Sequence, residues 1–184
     1  GVSAFERAMR DIFMTALGAA LAVIPSMRAR RTGTVAFIAS IGGRMGVPHL
    51  APYSAAKFAE IGFAEALRAE VARDGVRVLT VIPGLMRTGS YAHARFAGDP
   101  EKEYLWFTAG ATTPFLAMDA GRAARRIVSA IARGDRELVF TAPARLAYRL
   151  HGLAPALVVE QVAEVVVEAG GPTLRRRVRH VGRW

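Results

Sequence analysis

Two short runs, residues 34–40 (TVAFIAS) and 76–82 (VRVLTVI), limit most what this chain can fold into. Neither alternates apolar with polar residues, as a strand with one wet face does. A run that is apolar on both faces is the mark of a strand buried between two layers, as in a parallel sheet. Between them, residues 51–73 carry Phe58, Ile61, Ala64, Leu67 and Val71 as an apolar stripe at helical spacing. Parallel neighbours need such a crossover. The rest of the chain extends the pattern. Residues 5–27 read as a long helix, with Pro25 marking a kink or stop. Residues 85–118 read as irregular, and Asp119 as the N-cap of a helix running to Arg133. Residues 137–140 read as a third strand, and 143–169 as mostly helical, interrupted at Gly152 and Pro155. This order predicts an α/β fold with a parallel sheet and right-handed crossovers. Residues 34–40 read as a central strand, so a pairing strand is expected upstream of Gly1.

Composition removes several functions. The 184-residue chain is 52% hydrophobic, which argues against disorder. It has no cysteine, which excludes disulfides, thiolate zinc sites and a thiol nucleophile, and fits a reducing cytoplasm. Its four histidines show no ligand spacing, so no metal is expected. The longest apolar run, residues 16–24, is shorter than a membrane span. The net charge of +10 comes from 23 Arg against 2 Lys, a bias that suggests a GC-rich bacterial genome. The arginines lie scattered along helix faces, apart from a cluster at residues 175–179. No aromatic stacking platform accompanies them, so nucleic acid is not expected as a partner, and packing of the valine-rich stripe at 158–167 is the favoured reading over membrane contact through that stripe and the Arg cluster.

The chemistry centres on Ser40, Tyr53 and Lys57. Tyr53-Ser-Ala-Ala-Lys57 puts a phenol and an ammonium at i and i+4, on one face of a helix. A cation beside a phenol favours the phenolate and moves it toward general acid/base work near neutrality. Ser40 closes a strand thirteen residues before Tyr53, where sites of α/β sheets form. Pro83-Gly84 follows the next strand, so both strand ends address one crevice. A lone tyrosine–lysine pair at this spacing more often marks a solvated helix face. Here Lys57 is one of two lysines in an arginine-rich chain, and Ser40 stands before a Gly-rich loop.

These residues resemble the short-chain dehydrogenase/reductase family. The resemblance runs through the strand ending in Ser40, the loop Ile41-Gly42-Gly43-Arg44, Pro52-Tyr53-Ser54-Ala55-Ala56-Lys57-Phe58, Gly62 to Arg68, Val76-Arg77-Val78, and Pro83-Gly84-Leu85-Met86-Arg87-Thr88. It implies a Rossmann-like doubly wound sheet, with the N-terminal half of the sheet absent from this chain. It implies an NAD- or NADP-dependent oxidoreductase moving hydride between nicotinamide and a small alcohol or carbonyl substrate. Tyr53 would exchange the proton, Lys57 would lower the pKa of Tyr53 and bond the cofactor ribose, and Ser40 would hold the substrate oxygen. Pro83, Gly84, Leu85 and Thr88 match the loop that holds the nicotinamide end. Residues 1–150 would form the catalytic half-domain, with a lid at about 89–118, and 151–184 a helical extension with a basic tail. Tyr91, Phe96, Tyr104, Trp106 and Phe107 of the lid suggest an apolar substrate, and His49 and His93 are candidates to line the pocket. Members commonly pair through the helices matching residues 5–27 and 51–73, which implies a homodimer or homotetramer.

Two departures stand out. The family's Gly-rich dinucleotide turn after a first strand is absent, so these residues alone are expected to bind cofactor poorly. The Asn that many members carry on the helix matching residues 5–27 is also missing; its place falls at Ile12 or Phe13, with Thr15 the nearby hydroxyl. A non-catalytic scaffold or truncated paralogue is the alternative reading. An epimerase or dehydratase that keeps the cofactor is a third.

Overall fold

The computed structural model describes residues 1–88 and 117–161. The candidate lid, with Tyr91, His93, Phe96, Tyr104, Trp106 and Phe107, lies outside the described residues, as does the basic tail.

The sheet forms where the apolar runs predict it. Strands β1 (Gly33–Ile38), β2 (Val76–Pro83) and β5 (Glu137–Phe140) are parallel and lie in the order β1-β2-β5. β2 is central, and all of its residues except Arg77 are buried. Successive residues of β2 face opposite layers, as the pleat requires. Val76 and Val78 pack with Phe37 against Ala20, Ile24, Ala64, Leu67 and Val71. Leu79 and Val81 pack with Leu138 and Phe140 against Ala123 and Ala130 on the other side. Helices therefore cover both faces, which is the doubly wound arrangement. Burying side chains such as Leu79, Ile82 and Phe140 contributes roughly 1.5–3 kcal/mol each.

The first layer holds α1 (Val2–Ala8), a π-helical turn (Met9–Met14), α2 (Thr15–Ala29) and α3 (Ala51–Val71). Two features of the first three differ from the sequence expectation. The helix does not stop at Pro25 but runs through it to Ala29. Pro25 is exposed, so the carbonyl that loses its partner there can turn to water. The three segments also join without a break into a helix of 28 residues, long and apolar enough by length and composition to cross a membrane. The nine-residue run at 16–24 understates it, because the helix continues through both flanks. Its inner side chains Ala20 and Ile24 belong to the protein's own core.

On the opposite face lies α4 (Ala120–Arg133), capped by Asp119, whose Oδ1 accepts from the Arg122 N–H at 3.0 Å. After β5 comes α5 (Ala142–Leu153), capped by Thr141, and the helix breaks at Ala154 before Pro155. The irregular stretch after β2 contains one pairing the sequence does not announce. Two-residue strands β3 (Met86–Arg87) and β4 (Met118–Asp119) run parallel, so the chain that leaves at residue 88 is back beside its point of departure by residue 118.

β1 is an edge strand among the described residues, and Ile38 at its end is 46% exposed. The candidate site lies at this end of the sheet, where β1 and β2 both finish.

Candidate functional site

The ladder between β1 and β2 outlasts β1 itself, since the Ala39 N–H donates to the Val81 carbonyl at 2.9 Å. Ser40 follows directly and turns the chain. Its Oγ accepts from the Gly42 N–H at 3.1 Å and caps a single 3-10 turn, Ile41–Gly43. That turn lies flat on α3 because two glycines let it. A Cβ on Gly43 would come within 2.6 Å of the Lys57 carbonyl oxygen, and one on Gly42 within 3.2 Å of the Tyr53 ring. The loop is fixed again at Ser54, a buried residue whose Oγ accepts from the Val47 N–H at 3.2 Å. Arg44 holds its outer side, with a guanidinium paired to Glu65 of α3 and to Glu137 of β5 and lying 5.6 Å from the Tyr148 ring centroid. Sequence reasoning named Ser40 but missed Ser54 and the Arg44 network. Their partners lie in other elements, so spacing along the chain carries no sign of them.

Ser40 Oγ and the Tyr53 ring stand on either side of Gly42, 3.5 and 3.2 Å from the point a Cβ there would occupy, which puts the Ser40 hydroxyl beside the phenol. Tyr53 lies in the first turn of α3, and Lys57 one turn later on the same face. The Lys57 ammonium donates to the Ile38 carbonyl at 2.8 Å and to Glu60 Oε2 at 2.7 Å. The three expected residues are therefore brought to one place. Their electrostatics differ from what the resemblance implies. Burial pushes the Tyr53 phenol above its ordinary value of about 10, the hydrogen bond with Ser40 pulls it back, and the Glu60 charge pushes it further up. Lys57 is not among the groups that shift it.

The other expected positions occupy the end of β2. Pro83 is buried within the strand, and the Gly84 N–H donates to the Phe140 carbonyl at 3.3 Å. A Cβ on Gly84 would come within 2.5 Å of Thr141 Oγ1 and 2.9 Å of the Ala144 Cβ. Packing against α5 thus requires glycine at this position whatever it binds. The Leu85 carbonyl accepts from the Met118 N–H at 3.0 Å, and Thr88 is exposed where β3 ends. His49 adopts a positive φ of 63° in the loop before α3.

The place of the missing Asn is filled by packing. Phe13, in the π-helical turn, meets the Phe63 ring edge-on at 6.1 Å, and Phe63 meets Phe37 of β1 at 5.7 Å. Thr15 offers no replacement, because its hydroxyl is exposed and donates back to the Arg10 carbonyl at 3.2 Å.

The donor set suits one end of a dinucleotide. Tyr53 and Lys57 lie one helical turn apart on one face of α3, at the end of the sheet where β1 finishes, and offer a phenol and an ammonium as hydrogen-bond donors. Among the described residues, no Gly-rich turn joins a strand to a helix in a way that would cradle a pyrophosphate.

Comparison with known proteins agrees with this arrangement. Residues 2–96, just over half of the chain, match the short chain dehydrogenase family. A dehydrogenase/reductase SDR family protein 7-like of Anopheles gambiae is 36% identical over 138 residues, covering 74% of this chain and 42% of that protein. A 3-ketodihydrosphingosine reductase of Bacteroides thetaiotaomicron is 43% identical over 81 residues, 44% of this chain and 30% of its own length. The crystal structure of a short-chain dehydrogenase from Streptomyces avermitilis superposes with a TM-score of 0.67 at 26% identity, over 87% of this chain and 62% of that one. Relatives come from an insect and from bacteria alike, so they do not support the bacterial source that the arginine bias suggests. The chain spans about two fifths of the length of the insect relative. On the family match, the parallel doubly wound sheet and the Ser40–Tyr53–Lys57 cluster together, this chain belongs to the short-chain dehydrogenase family.

Proposed function

We propose that this chain supplies the catalytic part of an NAD- or NADP-dependent oxidoreductase acting on an apolar alcohol or carbonyl compound. The observation that carries the reading is the placing of Ser40 and Tyr53 on either side of Gly42 at the shared end of β1 and β2, with Lys57 one turn further on. When bound, the nicotinamide supplies the hydride for reduction or accepts it in oxidation.

The chain's own residues account for the proton. In reduction, the Tyr53 hydroxyl donates its proton to the carbonyl oxygen as the carbon gains hydride; in oxidation, the proton returns to Tyr53. The Ser40 hydroxyl lies against that of Tyr53 and so holds the same substrate oxygen, offsetting the charge that builds there. The Lys57 ammonium, on the Tyr53 face of α3, binds a ribose hydroxyl. Pro83, Gly84, Leu85 and Thr88 bound the nicotinamide end of the cleft. A half-buried phenol that keeps its proton past neutrality is a proton donor, which favours the reductive direction at neutral pH. A relative named a 3-ketodihydrosphingosine reductase is consistent with a carbonyl substrate.

The test is to titrate the full-length protein with NADH and NADPH by fluorescence, and to follow their oxidation with ethyl acetoacetate and a medium-chain methyl ketone. Cofactor binding with ketone-dependent oxidation supports the reading. No binding at millimolar cofactor overturns it in favour of a non-catalytic scaffold. Binding with no net oxidation overturns the redox step in favour of an epimerase or dehydratase.

A further inference from the structure

Glu60 has no part in the reading above, yet it is the most deeply buried charged side chain among the described residues, with 3% of its surface exposed. A carboxylate leaves water only at a large cost unless it is paired. Its partner here is the ammonium of Lys57, at 2.7 Å and itself little exposed. Lys57 in turn is held from the other side by the Ile38 carbonyl at 2.8 Å. The ammonium is thus fixed between the end of β1 and the next turn of its own helix.

We propose that Glu60 is a positioning residue for Lys57, so that the Lys57–Glu60 pair, rather than Lys57 alone, is the electrostatic partner of the Tyr53 hydroxyl. The role given to Tyr53 rests on the proposed oxidoreductase reading, but the pairing itself does not.

Two lines of observation support it. Geometry joins the two side chains within α3 and places Tyr53 one turn before them. In direction, the Glu60 charge acts to keep the Tyr53 proton on, against the Ser40 hydrogen bond. The other charged groups on elements packed around α3 are engaged elsewhere or exposed. Arg44 after the 3-10 turn pairs with Glu65 and Glu137. Arg68 donates to Thr80 of β2, and Arg28 of α2 pairs with Asp74. Glu6, Arg7, Arg10 and Asp11 on the first helical segments are exposed, as is Arg77 of β2. Removing Glu60 leaves the Lys57 ammonium unopposed one helical turn from the phenol, and removing Lys57 leaves the carboxylate unopposed, so the two single changes should move Tyr53 in opposite directions.

The measurement is the ultraviolet phenolate signal of the protein against pH, with Tyr53 identified by subtracting Tyr53→Phe. It needs neither cofactor nor turnover, so its outcome is independent of whether the oxidoreductase reading holds. Glu60→Gln should bring the Tyr53 signal in earlier by about one pH unit or more, as expected for an unopposed ammonium close by. Lys57→Met should delay it. The double variant Lys57→Met/Glu60→Gln buries no unpaired charge and decides the matter even if Glu60→Gln fails to fold. The proposal expects the double variant to titrate between the two single variants. A double variant that titrates like Lys57→Met alone, or a folded Glu60→Gln with an unmoved Tyr53, overturns it.

Discussion

At Tyr53 three effects compete, and burial wins: the phenol holds its proton more tightly than a free tyrosine. The consequence for stability follows in sign. The unfolded chain releases this proton near pH 10, while the folded chain keeps it to higher pH. Folding is therefore favoured below about pH 10, and the advantage is lost as pH rises through the folded value. Tyr148, raised in the same direction by burial and by Glu137, acts alike. The thermal midpoint should fall above about pH 10, and less steeply in Tyr53→Phe; equal slopes in a scanning calorimeter would remove Tyr53 from this account. Tyr53, Lys57 and Ser40 were legible in the sequence because their chemistry and spacing are both local. Glu60 was not. Three residues after Lys57, it reads as one more solvated pair on a helix surface, and only the packing around α3 shows that it is buried.

Among elements, the strands were the most legible. β1 and β2 are apolar on both faces, and only a two-layered sheet satisfies such a run. The π-helical turn at Met9–Met14 was not legible, because a shift of hydrogen-bond partner leaves no mark in composition. The β3–β4 pairing was hidden for another reason: it depends on where the chain returns, not on the two residues that pair. The loop between β1 and α3 yields a direct test. Gly43→Ala drives a methyl group into the α3 backbone, where nothing can give way cheaply. It should cost about 1–3 kcal/mol in chemical denaturation, by overpacking, and displace Ser40 from Tyr53. Gly46→Ala, three residues on, meets open space and should leave stability within about 0.5 kcal/mol. Equal effects of the two substitutions would contradict the close packing of this loop on α3.

Taken together, the ends of β1 and β2, the loop and the first turns of α3 meet at one edge of the sheet. β1 ends with Ile38 exposed beside Lys57, and the chain spans about two fifths of its insect relative. The family and the fold follow from residues present here. The central claim is that Tyr53 moves the substrate proton. It is tested most directly by comparing the full-length protein with its Tyr53→Phe variant, in ketone-dependent oxidation of NADH or NADPH and in cofactor affinity by fluorescence. Loss of one oxygen atom from a half-buried ring disturbs packing little. The account predicts a rate lower by about a hundredfold or more, with the cofactor dissociation constant changed by less than about threefold. A variant that turns over at the unsubstituted rate would contradict it.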